Sequence, residues 1–200
     1  MFYLRTSKKC PFRYYNSKTY ANDISIIIPD IAFEYNDYVR PACLPDVGNE
    51  VSARNGIVSG FGRTENGWIP ELQRATLEIL SQTRCESSWG RQFESDKMIC
   101  ALERDIDTCQ GDSGGPLIVN ENGKHTLYGI TSFGVGCAVG KPGVYTKVSR
   151  YSRFINQHIE GPRPDSKSRD LIPLDTTNDF ACISVYQTIL ISISFLLIFK

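Results

Sequence analysis

The segment Asp107-Thr108-Cys109-Gln110-Gly111-Asp112-Ser113-Gly114-Gly115-Pro116 holds the residues best suited to chemistry. A serine set between glycines sits on a tight turn. Its Oγ is exposed, and the neighbouring backbone N–H groups are free to point at a ligand. Such donors can form an oxyanion hole, which stabilises the charge that develops on a carbonyl oxygen during acyl transfer. A short G-x-S-x-G string is often only a glycine-rich turn with an incidental serine. The ten-residue string is far more specific, and it points to Ser113 as a nucleophile.

Other chemistries are poorly supplied. The chain has two histidines, seven cysteines and no C-x-x-C pair, which argues against a zinc or other metal site. No cofactor is implied. The 22 basic residues are matched by 22 acidic ones, so there is no broad electrostatic footprint for nucleic acid. Apolar residues make up 41% of the chain and charged residues 22%, a globular composition rather than a disordered one. Seven cysteines fit disulfides formed in an oxidising compartment. Yet Met1 to Lys9 has no apolar stretch long enough for an export signal. That mismatch leads us to expect a segment missing upstream.

Short apolar runs alternate with turn signals along the body of the chain. Ile24 to Ile28, Gly56 to Phe61, Ala75 to Leu80, Leu117 to Val119, Thr126 to Thr131 and Val144 to Val148 read as strands. Leu77 and Ile79 alternate with Thr76 and Glu78, so that strand is half buried. Asn122-Gly123 is a hairpin signal, because the pair tolerates positive φ. Many closely spaced strands imply an all-β sandwich or barrel. One helix is convincing: Ser149 caps it, Tyr151, Phe154, Ile155 and Ile159 share a face, and Gly161-Pro162 ends it. Residues 161–179 turn polar and read as a linker. Residues 180–199 carry no charge, and twelve of them are Ile, Leu, Phe or Val. Twenty helical residues span about 30 Å, the thickness of a bilayer core.

GDSGGP preceded by DTCQ resembles the nucleophile segment of the chymotrypsin/trypsin family of serine proteases. Further matches follow in order. Asn22-Asp23-Ile24 is similar to the segment bearing the triad aspartate. Arg40-Pro41-Ala42-Cys43-Leu44-Pro45 resembles the connector between two barrels, and Gly60-Phe61-Gly62-Arg63-Thr64 the opening of the second. Ser132-Phe133-Gly134, Cys137 and Lys141 to Val148 resemble the specificity-pocket walls and last strand; Ser149 to Ile159 resembles the closing helix. The likeness covers roughly residues 12–160, and its details look most like the clip-domain members. It implies an all-β, trypsin-like double barrel. The second barrel is essentially complete and only a remnant of the first is present within a domain spanning 1–160.

The resemblance also implies roles. Ser113 would be the nucleophile, and Asp23 would orient the catalytic imidazole. Gly111 and Ser113 would donate the oxyanion-hole N–H groups. Asp107 would lie at the base of the primary pocket and select Arg or Lys, since a buried carboxylate needs a cationic partner. Gly134 and Gly143 would keep the pocket mouth open, and the backbone from Ser132 to Gly134 would pair with substrate as an added strand. Asp112 would receive the amine freed by zymogen activation. Two disulfides are implied, Cys85–Cys100 and Cys109–Cys137. Gly56 and Val119 stand where a further pair would be expected, so that bridge is lost without an orphan. Cys43 would bond to an upstream segment. Cys10 is either free or paired with Cys43.

The family's pattern is not fully met. A histidine should precede Asp23, and none does. His125, beside the hairpin, reads as a surface residue, and His158 edges the closing helix. The activation site has no counterpart either. As written, the chain should be inactive. We expect a fragment of a trypsin-like endopeptidase of an extracellular cascade, with protein substrates cut after Arg or Lys and protein inhibitors as partners. The alternative is a non-catalytic homologue acting as a binding or cofactor module. The 180–199 segment is read as a cleaved lipid-anchor (GPI) signal, as a transmembrane anchor or as a mistranslated terminus. Ser166, Ser168, Thr176 and Asn178 lie in the attachment region for the first of these, and Cys182 lies within the segment itself. Either kind of anchor would tether the protein to a cell surface.

Overall fold

The computed structural model describes residues 6–159, apart from 37, 53, 105, 106, 122, 138 and 139. The linker and the apolar 180–199 segment lie outside the described residues. Among the described residues no helix is long and apolar enough to cross a membrane.

Six antiparallel strands close a barrel: β3 (Asn55–Gly60), β4 (Gln73–Ile79), β5 (Met98–Leu102), β6 (Pro116–Glu121), β7 (Lys124–Phe133) and β8 (Gly143–Lys147). Their order around the barrel is β3-β4-β5-β8-β7-β6. The seam is made by β3 and β6, where Ile57 faces Ile118 and Val58 faces Leu117. Closure leaves no free edge among these strands. A separate two-stranded sheet pairs β1 (Thr6–Pro11) with β2 (Ser25–Pro29). The chain is therefore mostly β, with one complete barrel and a small piece of sheet beside it.

Alternation fills the barrel. Val58, Leu77, Ile99, Ala101, Leu117, Val119, Tyr128 and Tyr145 form one buried cluster. One step along the β3–β6 register, Gly56 faces Val119. A Cβ on Gly56 would meet Leu117 Cδ1 at 2.6 Å, so packing occupies the place where the lost disulfide would sit. A second cluster joins Ile24 to Leu127, Ile130, Val148, Tyr151 and Ile155. It fastens the segment before β2 to the barrel and to α2 (Ser152–Ile159).

Five of the barrel's six strands, with β2 outside it, account for the six expected apolar runs, with ends shifted by one or two residues. Gly123, at φ +85°, turns the β6–β7 hairpin. Three elements were not expected. β1 is polar and shows no alternation. β5 is an unbroken apolar run, MICAL, buried on both faces. α1 (Gln82–Trp89) carries its signal in Ser81, whose side chain accepts from the Arg84 N–H, and in Cys85 and Trp89, one turn apart and buried. The capping role expected of Ser149 is corrected. It sits inside a 3-10 turn, Val148–Tyr151, and its carbonyl accepts from Ser152 Oγ at 2.9 Å. Tightening the chain there lets Val148 and Tyr151 reach the core before the α-helix begins.

Leu117→Ala should cost about 2–5 kcal/mol, since the side chain is fully buried at the seam. Urea titration should show a lower midpoint at unchanged slope. The phenol of Tyr128 donates to Glu121 Oε2 at 2.9 Å and accepts from Asn49 Nδ2 at 3.2 Å. Burial first, then the bond and charge of Glu121, push its pKa up to about 12. A raised phenol pKa stabilises the fold fully below the unfolded value of about 10 and loses that contribution as pH climbs through the folded value. Burial raises Tyr145 and Tyr151 in the same direction. Stability should therefore fall steeply between about pH 10 and pH 12. Tyr128→Phe should flatten part of that fall in pH-resolved denaturation.

Candidate active site

Ser113 lies on the turn that enters β6. Gly111 at φ +97° and Gly114 at φ +82° bracket it, conformations that side chains resist. The turn is closed by backbone bonds from Asp112 N–H to Cys109 O at 3.1 Å and from Gly115 N–H to Asp112 O at 2.8 Å. Gly114 N–H donates to Thr131 O at 2.9 Å, which pins the turn to β7. Ser113 itself is exposed.

Asp112 explains why the turn holds. Its Oδ1 accepts from Gly62 N–H at 2.8 Å, and its Oδ2 accepts from Cys109 N–H at 2.9 Å. A half-buried carboxylate is thus met by two aimed donors. Any Cβ on Gly60 or Gly62 would collide with the same carboxylate. Those two glycines were read only as the opening of a barrel. Their role as a cradle appears only in three dimensions.

Asp23 is 7% exposed and sits just before β2. Its Oδ2 accepts from Ser132 Oγ at 2.7 Å, and its carbonyl accepts from Thr146 Oγ1 at 2.7 Å. β7 and β8 therefore hold it. Thr131, which bonds Gly114, is the neighbour of Ser132, which bonds Asp23. The serine turn and the buried aspartate are tied to successive residues of one strand. Asp23 also helps burial raise the pKa of Tyr15.

Asp107 is half-buried. Its Oδ1 accepts from Thr108 N–H at 2.7 Å, and a Cβ on Gly143 would come within 2.9 Å of that oxygen. Thr108 Oγ1 lies 3.3 Å from Tyr145 Oη. Burial raises the Tyr145 pKa first; the Thr108 bond lowers it, and Asp107 and Asp112 raise it. Gly134 and Gly143 face each other, with 3.9 Å between a Cβ on the first and the Cα of the second. Cys109–Cys137 links this segment to the loop after β7, and Cys85–Cys100 links α1 to β5. Cys10 is buried and free, which settles that it is not paired with Cys43. A cleft of about 580 Å³ contains Asp107, Asp112, Gly60, Gly62 and Cys137 among its lining residues.

Several site neighbours went unread in the sequence. Trp68, largely exposed, packs on the serine turn, and a Cβ on Gly111 would meet its ring at 2.7 Å. Phe133 stacks on Tyr20 and meets Trp89 edge-on, both at 5.0 Å between ring centres. Lys141 Nζ lies 3.8 Å from the Trp89 ring centre. The one available signal was the position of Phe133 between Ser132 and Gly134. His125 is exposed on β7. His158 sits on α2 with its Nδ1 2.8 Å from the Phe154 carbonyl. Among the described residues no cluster of His, Cys, Asp and Glu could hold a metal ion.

The chain belongs to the trypsin family: residues 3–155 match the family model described as Trypsin. It is 40% identical over 149 residues to transmembrane protease serine 9 of Rattus norvegicus, covering 70% of this chain and 14% of that protein. It is 42% identical over 139 residues to trypsin-1 of Astacus astacus, covering 67% of this chain and 58% of that one. Serine proteinase stubble of Drosophila melanogaster is 36% identical over 163 residues, or 76% of this chain and 21% of that protein. The chain thus spans less than two thirds of the length of each of these relatives.

Gly62→Ala should destabilise the protein by about 1–3 kcal/mol, because the Asp112 carboxylate must move to admit the methyl group. Gly134→Ala, whose Cβ meets only ordinary contact, should stay within about 0.5 kcal/mol of wild type in the same denaturation series. Ser132→Ala removes a donor from a buried carboxylate and should cost about 1.5–3 kcal/mol near neutral pH.

Proposed function

We propose that this chain carries the nucleophile, orienting acid and primary pocket of a serine endopeptidase that cleaves after Arg or Lys. The observation that supports it most is the tie of Ser132 to Asp23 beside a serine turn braced by Asp112. In this reading Ser113 Oγ attacks the scissile carbonyl while an imidazole oriented by Asp23 takes its proton. The N–H groups of Gly111 and Ser113 bind the oxyanion; one such donor is worth about 10²–10³ in kcat. The amine leaves and water hydrolyses the acyl-enzyme. Asp107 attracts the cationic side chain, with Gly134 and Gly143 leaving room for it. Ser132 to Gly134 offer backbone to the substrate strand. The amine freed by activation docks on Asp112 within the cleft.

In this reading neither His125, exposed on β7, nor His158, on α2 against the Phe154 carbonyl, is the imidazole. Without it, activity should drop by up to about 10⁶-fold. Protein inhibitors are the natural partners of such a site. The two disulfides support an oxidising, extracellular setting. The apolar 180–199 segment would tether the protein to a membrane surface, and release by a phosphatidylinositol-specific phospholipase would assign it to a lipid anchor.

The test is to express the product of the complete transcript, activate it, and compare Arg-, Lys- and Phe-terminated peptide esters. Arg and Lys esters should be cleaved and Ser113→Ala should abolish turnover. Asp107→Ser should lower kcat/KM for Arg and Lys by about 10²–10³-fold while sparing Phe, because a buried cation would lose its partner. A complete product that supplies no imidazole ahead of Asp23 would overturn the enzyme reading and leave a binding module in its place.

A further inference from the structure

Between Lys18 and Arg40 the chain holds no basic residue, and the later part of that stretch carries Asp30, Glu34 and Asp37. Two tyrosines stand in it, each with an acid immediately before it: Glu34-Tyr35 and Asp37-Tyr38. Tyr35 is 49% exposed and Tyr38 is 96% exposed. A ring as open as that of Tyr38 removes almost no apolar area from water, so packing gives no reason for it.

The described residues from Ile31 to Arg40 form neither helix nor strand. Asn36 shapes their backbone instead. Its Oδ1 accepts from the N–H groups of Tyr38 at 2.8 Å and Val39 at 3.0 Å, and its own N–H donates to the Val39 carbonyl at 3.1 Å. The turn fixes the main chain at Tyr38 while its ring stands in solvent. Arg40, the first cation after it, has its Nε turned back to the Asn36 carbonyl at 3.3 Å.

We propose that Tyr38, and to a lesser degree Tyr35, are acceptors for O-sulfation. The phenol oxygen attacks the sulfur of an activated sulfate, a nucleotide carrying a mixed sulfate–phosphate anhydride. A bond forms between Oη and sulfur, and the bond from sulfur to the bridging oxygen breaks. The nucleotide phosphate leaves with that oxygen, and the phenol proton passes to a base of the transferase; nothing is oxidised or reduced. A transferase must close around the ring, which the exposure of Tyr38 permits, and cations on it would meet Glu34 and Asp37. Each sulfate replaces a neutral phenol by an anion, so two would take the neutral chain to a net charge of −2. The choice of sulfate over phosphate rests on the extracellular reading given above. Acceptance needs no catalysis by this chain, so its failure and the failure of the protease reading are separate results.

The experiment expresses the complete transcript in secretory animal cells fed radioactive sulfate and maps the label by peptide mass spectrometry. In parallel, protein from chlorate-treated cells, which make no activated sulfate, is incubated with tyrosylprotein sulfotransferase and the activated donor. Label is expected on Tyr38 and, more weakly, on Tyr35. Tyr38→Phe should remove most of it, and Tyr35→Phe with Tyr38→Phe all of it. Glu34→Gln with Asp37→Asn should lower labelling by about tenfold or more although both rings remain. Tyr14 is the internal control: it is 58% exposed, but Arg13 lies 4.4 Å from its ring centre, and it should stay unlabelled. No label on either tyrosine of the purified protein overturns the proposal. So does equal labelling of Tyr14, or phosphate in place of sulfate at Tyr38. Label on the purified protein, with the cellular product retained inside the cell and unlabelled, supports the acceptor assignment and overturns the extracellular reading instead.

Discussion

The Asp112 carboxylate is the constraint on which the site rests. A negative charge half out of water needs donors, and the two it finds come from opposite sides. Gly62 N–H lies beyond the end of β3, and Cys109 N–H lies in the serine segment itself. One carboxylate therefore ties the mouth of the barrel to the turn that presents Ser113. The closeness of that approach dictates glycine at both 60 and 62. The positive φ at Gly111 and Gly114 is the local form of the same demand, because the chain must double back within five residues around a side chain that points inward.

The barrel supplies the rest by bringing distant strands into register. β7 is central. Thr131 holds the serine turn through its carbonyl, Ser132 holds Asp23, and Phe133 gathers Tyr20 and Trp89. Three successive residues thus serve the serine turn, the buried acid and an aromatic wall. Alternation along a strand makes this economical, since neighbours point to opposite faces and can satisfy different partners. β8 adds Thr146 on the Asp23 carbonyl and Gly143 beside Asp107. The Cys109–Cys137 bridge then limits how far the serine segment can drift from the loop after β7.

Charge is distributed unevenly over this frame. Near the site, the Asp112 and Asp107 carboxylates accept from backbone N–H groups and the Asp23 carboxylate accepts from the Ser132 hydroxyl. Thr6 to Asn22 hold exposed cations and no acidic residue, and on the closing turn Arg150 meets Asp96 at 3.7 Å. The aromatic contacts of Phe12 make these two parts one surface, although some 140 residues separate Arg13 from Arg153 in the sequence. A neutral total concealed that asymmetry.

The residues themselves determined the glycine-bracketed turn at Ser113, the strands with apolar periodicity and the all-β class. These depend on local rules: glycine permits positive φ, alternation buries one face, Asn-Gly turns a hairpin. β1 escaped notice because its polar residues carry no period, β5 because it is buried on both faces, and the Ser149 cap because a 3-10 turn intervenes. Only the folded chain decided which donors Asp112 would find, that Ser132 would reach Asp23 across 109 positions, and that Cys10 would stay free of Cys43. Each of these is a meeting of groups remote in sequence. Barrel closure sets their distances, and no local preference encodes it.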